Sequence, residues 1–584
     1  MLEEILSEVN KPGRYIGEEW NITRKDFKKS DIRFALCFPD LYEIGMSNLG
    51  VRILYGILNS IADVVCERFF APGVDLEKNM RSCRIDTFSL ESKKGLKEFD
   101  IIGFSLGYEL NYTNVLNMLE LGSIPLEASL RDSSFPLIIG GGPCVMNPEP
   151  VADFFDLFVI GEAEEVILEI VDVYRRYKQK FKAREITKQD LLRTLSGIEG
   201  IYVPSLYEVR YDWQGKIQEF RPKIKGVPPY VRKRFIRDLN KAYFPLEWLV
   251  PYIQIVHDRI TLEIMRGCPN RCYFCQARSQ YFPFRQRNTS NILDLACKAY
   301  KHSGYEEISL AGLSVSDYDR IEELLASLIR SFKEKGVSIS LPSLKYKTLV
   351  SNLSSLIATI KKTGLTFAPE AGSEKMRRLI GKDFDEAGFF RALEKVYSVG
   401  YRHLKLYFMI GLPEEENSDL DGIVDFALRV SELRRKIKNS PAEVNISVNV
   451  LIPKPHTSLQ WLKMEDLDTL ARKQNYLKER LKNKKFIKIN LHNLEMSFLE
   501  GIFSRGDRRL SKVILLAYRK GARFDAWTDH FNFAFWQQSF QECGIDPLSY
   551  LNERAKDEYL PWDFLEVGIS KEALLADLNK PIAI

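Results

Sequence analysis

Cysteine and histidine are scarce in this sequence: nine cysteines and six histidines are spread over 584 residues. Thiols that are few, scattered and odd in number suit a reducing compartment better than a disulfide framework. The first histidine is His257, so nothing before it can offer an imidazole to a metal or a proton. Long hydrophobic runs are missing as well. No uncharged apolar stretch approaches the roughly 20 residues that span a bilayer. The opening, MLEEILSEVNKPGRYIGEE, is acidic and amphipathic, unlike a signal peptide, so a cytoplasmic protein with no transmembrane segment is expected. Charge of one sign is scarce too. The 84 basic and 79 acidic residues leave a net +5, which permits RNA or an anionic small molecule as substrate and argues for neither. Repeats and low-complexity segments are absent. What is present is 45% apolar residues in a chain longer than a single core supports, so two or three domains are expected.

Short apolar runs alternate with helical patterns. Residues 1–30 read as a charged helical lead-in. IRFALCF, IIGFSLG (101–107), PLIIGGG (136–142) and FFDLFVIGEAEE (154–165) read as strands of a parallel sheet covered on both faces, an N-terminal Rossmann-like unit over 31–190. In 191–255, YVPSLYEVRYDWQGKIQEF reads as a hairpin turning at Gln214 and Gly215, followed by the basic linker RPKIKGVPPYVRKRF, most simply a solvated face. Over 256–490 the rhythm is more regular, with strands at 261–265, 306–312, 337–343, 365–370, 403–411 and 444–452. Six strands with intervening helices make a partial (β/α)6 barrel or a wide open sheet, with its chemistry at the C-terminal strand ends. Residues 491–584 form a mixed, largely helical and aromatic-rich extension. The fold class is α/β.

Three of the nine cysteines lie within RGCPNRCYFCQA, directly after the strand 261–265. Cys268, Cys272 and Cys275 are spaced C-x3-C-x2-C. A structural zinc site wants four ligands, and no fourth cysteine or histidine is near. A [4Fe–4S] cluster held by three thiolates keeps one iron open, and a tight loop lets the thiolates converge while backbone N–H groups solvate the anionic cluster.

This spacing, with an aromatic residue before the third cysteine, resembles the radical S-adenosylmethionine superfamily. The resemblance implies that S-adenosylmethionine binds the open iron and that Phe274 lies beside the adenine. Where the superfamily has a Gly-Gly-Glu-like stretch for the methionine amine, this chain has LAGLSVSDY without the glutamate, leaving Gly312, Ser314 and Ser316 as weaker candidates. Glu370 in PEAGSEK is the candidate for the ribose, and its alternative role is a surface helix-capping carboxylate, although Ser373 could take the cap itself. Gly411 in MIGLPEE and Ile452 in VLIPKPH correspond to the segments that border the adenine.

A Rossmann-like unit ahead of such a core resembles the cobalamin-binding subclass. That resemblance implies a corrin or its nucleotide tail near Gly140, Gly141 and Gly142, with Gly161, Glu162 and Glu164 closing the last strand. No Asp-x-His-x-x-Gly motif is present, so a cobalamin here would have no histidine ligand from this unit. The stretches FPDLYEIGMSN, YELNYTNVLNML, RGDRR and LPWD resemble an uncharacterised family of cobalamin-domain radical S-adenosylmethionine proteins, which brings no substrate with it. The expected partners are a reducing system such as flavodoxin or ferredoxin and an RNA or small-molecule substrate. The expected activity is hydrogen abstraction, extended to methyl transfer if cobalamin is bound. An RNA-modifying enzyme without cobalamin and a non-enzymatic Fe–S or zinc-stabilised interaction protein are the alternatives. On the substrate side, Arg505, Arg508 and Arg509 form either an anion handle or an internal ion network pinning the tail, and Asp529 with His530 form either an acid–base pair or a polar turn.

Overall fold

The computed structural model describes residues 2–340 and 365–580. A six-stranded sheet in the order β2-β1-β3-β4-β5-β6 forms the N-terminal part. It comprises β1 (Ile32–Phe38), β2 (Val64–Phe70), β3 (Ile101–Ser105), β4 (Leu137–Gly141), β5 (Leu157–Val159) and β6 (Ile201–Tyr202). β1 to β5 run parallel and β6 pairs antiparallel with β5. Near-continuous burial of these apolar runs reflects helices on both faces. The strand order reverses between β1 and β3, which opens a crevice at their C-terminal ends.

β2 was not expected, because VVCERFF carries two charges inside a strand that is buried throughout. Arg68 is fully buried and pairs with Glu19 at 2.8 Å and Glu91 at 2.6 Å, which is how the strand tolerates it. The lead-in is also different from expectation. Only Leu2–Ser7 is α-helical, and the rest runs across the molecule, where Trp20 bridges to Val250 and the Asn21 amide donates to the carbonyls of Trp248 and His302.

The hairpin forms as expected from β7 (Tyr207–Tyr211) and β8 (Ile217–Pro222). Beyond it, β9 (Val231–Arg232) pairs in parallel with β19 (Leu565–Glu566), fastening the linker to the tail. The linker is largely exposed from Arg221 to Tyr230, as expected, but its end is not a solvated face. Lys233 is buried and Arg234 pairs with Glu169 at 2.6 Å.

Two parallel sheets follow, β10 (Ile260–Glu263) with β13 (Glu307–Ala311) and β14 (Ser338–Ser340), and β15 (Leu365–Glu370) through β16 (His403–Ile410), β17 (Glu443–Val450) and β18 (Ile487–Leu491). The six expected strands are joined by a seventh, β18, a half-buried edge strand. The end of the expected strand 337–343 lies outside the described residues, and among the described residues no ladder joins β14 to β15. A small antiparallel pair, β11 (Met265–Arg266) with β12 (Arg285–Gln286), closes the neck of the cysteine loop. The extension is mainly helical, with helices Leu494–Arg505, Leu510–Lys520, Phe533–Glu542 and Lys571–Leu578.

Candidate active site

The cysteine loop begins at Gly267, whose φ of +79° turns the chain so tightly that a Cβ would meet the Tyr281 carbonyl at 2.7 Å. Cys268, Cys272 and Cys275 are half-buried on this loop. Burial pushes the Cys272 thiol up to about 11, opposed by the charge of Lys382, and burial raises Cys275 as well. Cys272 senses the charge of both other thiols, which adds to the burial that holds it neutral until positive charge is supplied beside it. Among the described residues no three His, Cys, Asp or Glu side chains converge to hold one metal ion. Each thiolate of a cubane takes its own iron, so a cluster asks for no such point of convergence.

Neighbouring strand ends bring other groups to this loop. The Asn270 amide donates to Cys268 Sγ at 3.1 Å and to Asp317 Oδ2 at 2.9 Å, and the Ser314 hydroxyl donates to the same carboxylate at 2.7 Å. Ser316 lies in the same 3-10 turn as Asp317, Val315–Asp317. Gly312 packs so closely on Met265 that a Cβ would meet its Cγ at 2.5 Å. Phe274 packs on an apolar cluster that includes Ala371, Met409, Leu412 and Leu451, from the ends of β15, β16 and β17. The Gly411 N–H donates to Glu415 at 2.8 Å, and Ile452 follows β17 half-buried, next to Leu451, whose N–H reaches the Ile410 carbonyl.

Glu370 is not a capping carboxylate. Ser373 takes that role, accepting from the Met376 N–H at 3.2 Å, whereas Glu370 is turned inward with its φ at +71° beside a register shift in β15. Its carboxyl, raised by burial, stands 3.4 Å from Lys382 and within electrostatic reach of Cys272 and Cys275. A non-glycine residue held in that conformation at a buried carboxylate is the kind of strain that gathers at functional sites.

On the N-terminal side, Gly141, Gly142, Gly161, Glu162 and Glu164 line a largely apolar cavity of about 370 Å³ at the C-terminal ends of β1, β3, β4 and β5. Arg266, Gln280 and Tyr281, all from the cysteine loop or its neck, form the facing wall. Gly140 points the other way. A Cβ there would strike the Phe158 ring at 2.6 Å, so this glycine serves strand packing. Glu162 and Glu164 do not offer free carboxylates, because Arg266 reaches them at 3.0 and 2.5 Å and Arg285 reaches Glu162 at 2.6 Å.

The arginine stretch is internal. Arg505 is fully buried and donates to the carbonyls of Pro453, Gln460, Tyr550 and Asn552. Arg508 pairs with buried Glu149 at 2.9 Å, and Arg509 pairs with Asp507 at 2.7 Å while lying over the Tyr211 ring. These contacts tie the tail to the rest of the chain. Asp529 and His530 lie on an exposed turn held by Trp527, whose indole donates to Asp40, and by ring contact of His530 with Phe524. No described hydrogen bond links them to the cysteine loop.

Sequence reading missed Asn270, Asp317, Lys382 and the carbonyl-bound Lys233. Lys233 donates to the carbonyls of Ser279, Gln280 and Phe282, and burial pulls its ammonium down to about 7. Asn270 and Asp317 lay inside stretches already singled out for the site, RGCPNRCYFCQA and LAGLSVSDY, whereas Lys382 and Lys233 carried no such signal. His456 was also passed over. It is buried, its Nε2 donates to the Met146 carbonyl at 3.1 Å, and burial pulls its imidazole down to about 3 from 6.5. Because the unfolded chain binds this proton below about pH 6.5 and the folded chain does not, the stabilisation is complete above pH 6.5 and declines as pH falls toward 3. Thermal midpoints recorded from pH 7 to 4 should therefore drop more steeply for the native chain than for His456→Gln, by the slope of one proton.

Two family descriptions match this chain: "Radical SAM proteins, N-terminal" over residues 50–204 and "Radical SAM superfamily" over residues 262–427. An uncharacterized protein of Methanocaldococcus jannaschii is 30% identical over 485 residues, covering 82% of this chain and 90% of that one. A tRNA-2-methylthio-N(6)-dimethylallyladenosine synthase of Hydrogenobaculum sp. is 25% identical over 172 residues, 28% of this chain and 39% of that enzyme. Among solved structures, the radical S-adenosylmethionine methyltransferase TsrM of Kitasatospora setae, with cobalamin and a [4Fe-4S] cluster bound, aligns with a TM-score of 0.43 at 12% identity, over 71% of this chain and 72% of that one. With its matched core, its cysteine loop and the strand ends gathered around it, this chain belongs to the radical S-adenosylmethionine superfamily and is an enzyme of that class.

Proposed function

We propose that Cys268, Cys272 and Cys275 hold a [4Fe–4S] cluster, and that the two C-terminal sheets form the halves of a partial barrel around bound S-adenosylmethionine. When bound there, such a cluster would pass one electron from an external reductant to the sulfonium of S-adenosylmethionine, the chemistry that yields a radical able to take hydrogen from an unactivated C–H bond. Around it, this chain's own groups bind and orient. Asn270 steadies Cys268, and Asp317 supplies a carboxylate in the segment where the family's glutamate is missing. Phe274 and the apolar ends of β15 to β17 make a pocket suited to an adenine, and Glu370 with Lys382 presents a polar edge to a ribose.

We further propose that the N-terminal cavity takes part of a cobalamin, which makes methyl transfer to carbon the leading reaction. The observation that carries this reading is the shared wall: Gly141 and Gly142 on one side, Arg266, Gln280 and Tyr281 of the cysteine loop on the other. A ligand there would lie against the loop that holds the cluster. The residues fit in kind. The lining is apolar, its volume is at the lower end of ligand pockets and suits a nucleotide tail rather than a whole corrin, and with no histidine before His257 the sheet offers no imidazole ligand.

The test is cobalt per chain, with the corrin absorbance, after anaerobic expression with iron, sulfide and cobalamin. About one cobalt per chain is expected. A Cβ on Gly141 meets nothing nearer than 3.9 Å, so Gly141→Leu can enter the cavity without breaking the strand. It should lower cobalamin affinity by roughly tenfold or more. An intact cluster without cobalt would remove methylation and favour an RNA-modifying reaction, with RNA retained through purification in a salt-dependent way. Reduction is assigned to a flavodoxin- or ferredoxin-type donor.

A further inference from the structure

The neck of the cysteine loop is held from the N-terminal sheet. β11 and β12 contribute only two residues each to their ladder, too few to define a loop of this length by themselves. Arg266 and Arg285 sit opposite one another in that ladder, and both converge on Glu162. Glu162 accepts from Arg285 Nη1 at 3.0 Å and Nη2 at 2.6 Å, from the Ile236 N–H at 2.8 Å, and pairs with Arg266 Nη1 at 3.0 Å. Its own position is fixed. Gly161, at φ +106°, lets the linker backbone pack so close that a Cβ would meet the Arg234 carbonyl at 2.1 Å, and the Glu162 N–H donates to that same carbonyl at 2.9 Å. Glu164 takes Arg266 Nη2 at 2.5 Å, and Glu263 takes its Nε at 2.7 Å and stands 4.0 Å from Arg287. Three carboxylates thus face three guanidinium groups in a buried, charge-balanced cluster. Glu162, Glu164 and Arg266 also line the N-terminal cavity.

We propose that Glu162 is a positioning residue: from the N-terminal sheet it clamps both sides of the loop neck and so sets the placement of Cys268, Cys272 and Cys275. The inference rests on the cluster reading given above only for its spectroscopic arm. Buried, bidentate and charge-assisted contacts are the strong kind, and removing one member leaves the others unbalanced. The cavity and the thiol loop therefore share a wall whose geometry one side chain fixes.

The experiment compares the full chain with Glu162→Gln and with Glu149→Gln, which breaks a buried pair with Arg508 away from the loop. Amide hydrogen exchange is followed over residues 267–284. The reduced, reconstituted proteins are also examined by electron paramagnetic resonance with and without S-adenosylmethionine. Glu162→Gln should accelerate the slowest loop amides by roughly tenfold or more and broaden or abolish the spectral change on adding S-adenosylmethionine, at unchanged iron content. Glu149→Gln should do neither. Native exchange and spectra in Glu162→Gln, or equal loop exchange in Glu149→Gln, would overturn the proposal. Should Glu162→Gln fail to fold, Glu162→Gln with Arg285→Gln removes one charge of each sign and is read the same way. If the native chain assembled no cluster, the functional reading would fail while the exchange measurement still tested the clamp.

Discussion

Cys272→Ala is expected to reduce the iron of the reconstituted protein from about four atoms per chain to near background and to cut 5′-deoxyadenosine formation by at least roughly a thousandfold. The thiol lies at the centre of its group. It sits between Cys268 and Cys275 in the loop, is raised by burial, and is partly compensated by Lys382. A thiolate in such a place depends on the positive charge of iron, and iron in turn depends on all three thiolates, since two cannot hold a cubane with one open corner. The fold should survive, because the loop is anchored by its neck, by the Tyr273 N–H to the Ile380 carbonyl at 2.9 Å and by Lys233 on three carbonyls. Cys297→Ser, on an exposed helix position, is the matched control and should change neither readout. Unchanged iron and deoxyadenosine in Cys272→Ala would remove the cluster assignment entirely.

The second large effect concerns stability. Arg505→Leu is expected to cost at least about 3 kcal/mol, because it orphans three buried carbonyls and a fourth, partly buried one at once. The guanidinium donates Nε to Tyr550 at 2.8 Å, Nη1 to Pro453 at 2.9 Å and Gln460 at 3.0 Å, and Nη2 to Asn552 at 2.9 Å. It has no carboxylate partner in that set, and burial beside Arg554 pulls it down to about 9. Arg505→Lys should recover little, since an ammonium has three donors and no planar fork. Arg509→Leu, at a half-exposed pair, should stay within about 1 kcal/mol. Urea unfolding followed by tryptophan fluorescence separates the three, and similar midpoints for the Arg505 and Arg509 variants would contradict this account. Two of the four carbonyls belong to the segment after β17, and the Ser279 hydroxyl donates to the His456 carbonyl in that same segment. Loss of Arg505 should therefore loosen the cysteine loop as well.

Much of the N-terminal sheet was legible because its strands are short apolar runs between turns, and a buried parallel strand announces itself that way. β2 was the exception, since Glu67 and Arg68 break the run and are tolerated only through partners elsewhere in the chain. The cysteine loop was legible for a different reason. All three thiols lie within eight residues, so the spacing itself carries the chemistry. Phe274, Glu370, Gly411 and Ile452 could be nominated only through the family resemblance of the short stretches that carry them.

The sequence by itself thus determined the α/β alternation, the thiol loop and the class of chemistry, all written in residues near one another along the chain. Tertiary structure alone decided how the charges are used. Glu162 meets Arg266 and Arg285 more than a hundred positions away, Arg508 meets Glu149 across most of the chain, and Lys382 arrives beside Cys272 from the turn after the helix Glu374–Leu379. Charged side chains show no periodicity when their partners are remote. Burial then makes each such pairing obligatory, because an ion without its partner in the interior is too costly to keep.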